Sequence, residues 1–159
     1  MRTRQSLKPG FTLIELAVVV FIAGLIIAIA VPRMSHTIQE HYARNARDAF
    51  TWTANRARSR AIQTGSTVLL VLNPSNERAW VYKRNPTVTS DTIVSLNFST
   101  QFQSQVSTAS NNVLTICYSP RGYAYDCTGG GTNTVEVTFT HGVYTSKARV
   151  KPLGQVERL

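Results

Sequence analysis

The chain has 159 residues, 43% apolar and 16% charged, and its 17 Lys plus Arg against 8 Asp plus Glu give a formal charge of +9. That apolar share supports a core and excludes an intrinsically disordered chain, and two cysteines are too few for a disulfide-dense scaffold or a four-cysteine zinc site. The mean hydropathy of -0.09 averages two unlike parts, because the strongest hydrophobicity lies in one block near the N-terminus.

Residues 1–10 contain Arg2, Arg4 and Lys8 and no acid, and an apolar run follows over 11–31, broken by one charge, Glu15. As a helix that run spans about 31 Å, the thickness of a hydrocarbon core. The flanking cations place the leader on the cytoplasmic side and the rest of the chain beyond the membrane. A secretory signal peptide would have a shorter core and a small-x-small cleavage site. Here the run ends at Val31-Pro32-Arg33, which favours retention of the segment. An acid inside a membrane segment costs about 2.5 to 3.5 kcal/mol and needs a partner. Thr12-x-x-Glu15 offers one reading, a capping box that satisfies free N–H groups at the helix start.

Lys8-Pro9-Gly10 followed by Phe11-Thr12-Leu13-Ile14-Glu15 and an apolar run to Pro32 resembles the N-terminal signature of type IV pilin-like proteins, including the pseudopilins of type II secretion. The resemblance implies cleavage between Gly10 and Phe11 by a prepilin peptidase and N-methylation of Phe11. It also implies that Glu15 pairs with the Phe11 amine, in its own or a neighbouring subunit, as the apolar helices bundle. A buried carboxylate and a buried ammonium each need the other. The capping and pairing readings both stand at this point.

Past Pro32, which should kink or locally melt the helix, the pattern becomes amphipathic. At about 100° per residue, Ile38, Tyr42, Ala46, Ala49, Phe50, Thr53 and Ala57 share one arc. Thr37, Glu40, Arg44, Arg47, Thr51, Asn55 and Arg58 fall opposite, while Arg56 and Arg60 project to the apolar side as misfits. Gln63-Thr64-Gly65 supplies a C-terminal stop.

Short β-branched runs follow over 67–72, 79–83, 92–98, 113–118, 134–140 and 143–150. Turn residues at Asn73-Pro74-Ser75, Asn85-Pro86, Asn111-Asn112, Gly129-Gly130-Gly131 and His141-Gly142 separate them, the last being short enough for a tight hairpin. The expected fold is α+β: a long N-terminal helix, membrane-spanning in its first half and amphipathic in its second, packed on a small antiparallel β-sheet head. The expected organisation is a leader over 1–10, a transmembrane and assembly helix over 11–32, an amphipathic helix over 33–64 and a periplasmic head over 65–159.

The passage from Arg56 to Gly65 is similar to the ARSEAI-x-x-G segment of GspH/FimT-type minor pilins and pseudopilins, with thinner likeness at Tyr118-Ser119-Pro120-Arg121-Gly122 and Gly154-Gln155-Val156-Glu157-Arg158. This resemblance implies a minor subunit that incorporates into, or primes, a type IV pilus or type II secretion pseudopilus. Its implied partners are prepilin peptidase, other major and minor pilins or pseudopilins, and the inner membrane, with the head in the periplasm.

Cys117 and Cys127 enclose nine residues in a head expected in an oxidising compartment, which suits a disulfide. His36, His41 and His141 do not form a metal-ligand pattern. No G-x-S-x-G, HExxH or phosphate-loop pattern is present, so neither enzyme activity nor a cofactor is expected. Lys147, Arg149 and Lys151 alternate along one strand, with Arg158 near the C-terminus, and give the competing reading, a DNA receptor in natural transformation. The same cations would also blunt an edge strand. Some FimT-like proteins capture DNA through Gly-Arg-x-Arg, but the matching residues here are Gly154-Gln155-Val156-Glu157, without either arginine.

Overall fold

The computed structural model describes residues 11–83, 92–127 and 134–159, with the backbone alone at 31–36. The leader and the turns at Asn85-Pro86 and Gly129-Gly130-Gly131 lie outside the described residues. The chain divides into two units, Met1–Thr37 and Ile38–Leu159. The helix α1, Leu13–Thr64, begins in the first and ends in the second. Of the kink or local melting expected at Pro32, the melting does not occur: the backbone stays helical through it.

In the first unit the apolar side chains of 13–30 are exposed and have a mean hydropathy of 2.9, long and apolar enough to cross a membrane. The second unit is a helix packed with two antiparallel sheets. Sheet A has the order β3-β2-β1-β5-β6, built from β1 (Val68–Asn73), β2 (Arg78–Lys83), β3 (Thr92–Asn97), β5 (Leu114–Tyr118) and β6 (Ala124–Asp126). Sheet B has the order β4-β7-β8-β9, from β4 (Gln105–Thr108), β7 (Val135–His141), β8 (Tyr144–Val150) and β9 (Val156–Arg158). The α+β architecture is as expected, but the head carries two sheets rather than one.

One core joins the three parts. Phe50 of the helix packs against Phe139 of β7 with ring centroids 5.6 Å apart, and Phe139 meets Phe98 at 5.3 Å. Leu70 and Leu72 of β1 and Val81 of β2 complete it from sheet A. Strand β1 lies at the centre of its sheet, and Val68 through Leu72 are all buried, so it reads as a continuous apolar run rather than an alternation.

The helix meets the sheets along Ala43, Ala46, Phe50, Ala54, Ala57 and Ala61. This stripe is turned by about 60° from the one expected from the sequence. Arg56 and Arg60 are therefore exposed, Ile38 is exposed and Thr51 is buried, each against expectation. The reason is size: five of the six residues on the stripe are alanines, whose small side chains carry little weight in a phase set by hydropathy. Thr51 is accommodated because its hydroxyl donates to the Arg47 carbonyl at 2.9 Å.

Gly65, at φ +60, ends the helix as expected. Gly142 at φ +58 serves the two-residue β7–β8 hairpin, in which His141 pairs with Tyr144. A short helix, α2 (Phe98–Phe102), replaces the expected end of β3 because the Asn97 side chain accepts the Thr100 N–H at 3.1 Å and starts a turn.

Candidate functional site

At the N-terminal end, Thr12 Oγ1 accepts the Glu15 N–H at 3.3 Å, which is the forward half of a capping box. Phe11 and Glu15 are both exposed. A cap on the backbone N–H leaves the Glu15 carboxylate available to a further partner.

In the second unit, three sequence passages converge on one point. Arg58 crosses from the helix and donates its Nε–H to the Gly122 carbonyl at 3.0 Å. Gly122, at φ +83, closes a turn in which its N–H bonds the Ser119 carbonyl at 2.8 Å. Gly154, at φ +75, packs against both Arg58 and Gly122. Tyr118 lies buried beside this cluster, and its hydroxyl has no hydrogen-bond partner among the described residues. Burial pushes its phenol above the ordinary range, and the Arg58 charge pulls partly the other way. The helical arithmetic had placed Arg58 on the polar side; its position between Ala54, Ala57 and Ala61 was the available signal.

Cys117 and Cys127 form a disulfide that links β5 to the end of β6, with Cα atoms 5.7 Å apart. The Cys127 N–H bonds the Thr115 carbonyl at 3.1 Å, so the bridge staples strands already in register.

Three cations of the basic stripe lie within ion-pair reach of carboxylates. Arg149 Nε donates to Glu136 at 2.9 Å, and Arg149 also lies 3.7 Å from Glu157. Lys151 lies 3.2 Å from Glu157, and Arg158 is 3.5 Å from Asp48 of the helix. Hydrogen bonding and charge from Arg149 hold the Glu136 carboxyl below its usual range. Among the described residues, Lys147 alone of the four cations has no carboxylate within ion-pair distance, and its charge too lowers Glu136. His141 donates from Nδ1 to the Gln103 carbonyl and packs its ring 4.9 Å from Tyr42, a structural role.

The type II transport protein GspH family model matches residues 46–154, and the prokaryotic N-terminal methylation motif matches 6–31. The chain belongs to the GspH family. The GspH match opens at Ala46 on the buried stripe and closes at Gly154, so Arg58, Gly122 and Gly154 all fall inside it. The type IV minor pilin FimU of Pseudomonas aeruginosa shares the fold at 8% identity, with a TM-score of 0.57 over 74% of this chain and 87% of FimU. A second crystal form of FimU gives a TM-score of 0.55 at 9% identity. No curated protein matches the sequence. GspH membership together with the methylation motif makes this chain a type IV pilin-like minor subunit, a minor pilin or pseudopilin. Its family and fold are those of structural proteins rather than enzymes.

Proposed function

We propose that the chain is processed between Gly10 and Phe11, N-methylated at Phe11, and held in the inner membrane by the helix over 11–32 until it enters a type IV pilus or type II secretion pseudopilus. The helix over 33–64 and the head over 65–159 then form its periplasmic part. The observation that carries this reading is the methylation motif over 6–31, leading into an apolar helix whose side chains are exposed and whose single charge is Glu15. An exposed apolar surface of that length needs lipid or other helices to cover it. Within a bundle of such helices, Glu15 and the Phe11 amine neutralise each other. Removing the leader takes three cations and lowers the net charge from +9 to +6.

Intact-mass measurement on chain extracted from membranes tests the processing. Cells with prepilin peptidase should yield a chain that begins at methylated Phe11, and a chain still beginning at Met1 would overturn the proposal. Glu15→Ala should leave cleavage intact and reduce incorporation into filaments. Normal incorporation of that variant would reduce Glu15 to a helix cap.

A further inference from the structure

On the exposed side of the helix, Trp52, Arg56 and Arg60 follow one another at intervals of four residues, with Asn55 and Ser59 beside them. Ile93 of β3 faces them, and together they line a groove of about 580 Å³ with no acid among its described lining residues. A smaller hollow of about 350 Å³ shares Arg60 and Ile93 and adds Lys83. Four cations elsewhere in the unit are paired instead. Arg44 meets Glu40, Arg47 meets Asp48, and Arg149 and Lys151 meet Glu136 and Glu157. The groove thus gathers guanidinium groups on a surface with an indole that is 55% exposed.

We propose that this groove docks an acidic segment of a neighbouring subunit, a stretch of chain with two carboxylates spaced to meet Arg56 and Arg60. The proposal rests on reading the chain as a filament subunit. Side chains four apart on a helix stand about 6 Å apart. Acids at alternate positions of an extended strand, about 6.7 Å apart, or at i and i+4 of a helix, match that spacing. Each guanidinium can fork onto a carboxylate, and Asn55 and Ser59 can bond the backbone of the occupant. Ile93 and the edge of Trp52 cover its methylene groups.

Nucleic acid fits the groove less well. The guanidinium carbon of Arg56 stands 5.0 Å from the Trp52 ring centroid and covers the face on which a base would stack. Two or three cations also make too short a row for a phosphate backbone.

A photoreactive residue in place of Ser59, in the full-length chain and in cells that assemble the filament, tests the proposal. A second probe in place of Val19, on the apolar helix, reports incorporation independently. The Ser59 probe should join another pilin-like subunit, at a peptide with two nearby acids. Arg56→Glu with Arg60→Glu should lower that adduct about tenfold and leave the Val19 adduct unchanged. The milder Arg56→Gln with Arg60→Gln should fall between, and lysines at the two acids of the partner should restore the adduct to the charge-reversed chain. Adducts to nucleic acid or lipid, peptides without acids, or a yield indifferent to charge reversal would overturn the proposal. A Val19 adduct without a Ser59 adduct overturns the groove alone, whereas the absence of both overturns the filament reading with it.

Discussion

A Cβ built on Gly154 would collide with the carbonyl oxygen of Gly122, the same oxygen that accepts the Arg58 Nε–H. The turn before β9 therefore closes directly on the turn after β5, and the helix arginine ties them together. Gly154→Ala meets both a left-handed backbone and a backbone clash, and should cost about 2 to 4 kcal/mol. Gly142→Ala meets only the backbone preference, with nothing within 4 Å, and should cost about 1 kcal/mol. Denaturant unfolding of the detergent-solubilised chain compares them, and equal losses would contradict the contact.

Tyr118 gives an alkaline signature. Its folded pKa is raised above the ordinary 10.0, so as pH rises the unfolded chain loses this proton first. Stability from this group is whole below pH about 10 and falls above it. Tyr118→Phe should flatten that fall. At pH 8 it should leave stability unchanged or slightly higher, because the hydroxyl it removes has no partner among the described residues. Urea midpoints at pH 8 and 10.5 decide, and a large loss at pH 8 would show that the hydroxyl is bonded.

Reduction of Cys117–Cys127 should cost about 2.5 to 3 kcal/mol on the chain-entropy model for a loop of this length. Paired unfolding curves with and without reductant measure it. Cys117→Ala with Cys127→Ala should match the reduced chain to within about 1 kcal/mol, the allowance for emptying the buried Cys117 position. No difference on reduction would show that the bridge does not constrain the unfolded chain.

The carboxylates beside Arg149, Lys151 and Arg158 should keep duplex DNA affinity weak and its salt dependence shallow. Glu136→Gln with Glu157→Gln should tighten binding and steepen the log-log salt slope by about two. Gel shifts at two salt concentrations read both. Strong, salt-steep binding by the unaltered chain, lost in Lys147→Ala with Arg149→Ala, would instead support the DNA receptor.

Features that stand on local chemistry were legible in the sequence. Two examples are the apolar block with its single acid and the Gly142 hairpin. What escaped depended on tertiary structure. Strands β4, β6 and β9 are three or four residues long and gain their partners only once a sheet exists. The short helix α2 replaced a strand end because one Asn97 side chain outweighed β propensity. The helix phase was misread because Ile38 and Tyr42 drew the arc toward themselves, while Ala43, Ala54 and Ala61 scored too little. That misreading also hid Arg58, the residue on which the Tyr118, Gly122 and Gly154 passages converge.

The alanine stripe sets where this subunit can be spliced. Ala46, Ala54, Ala57 and Ala61 are fully enclosed, so any larger side chain there would force the sheets off the helix. A hybrid that joins this anchor to a foreign head, or this head to a foreign anchor, must carry the helix from Ala43 onward with the head as its own wedge. The workable seam lies at Thr37 and Ile38, where the two units part, past the apolar run of 13–30 and before the buried stripe opens at Ala43.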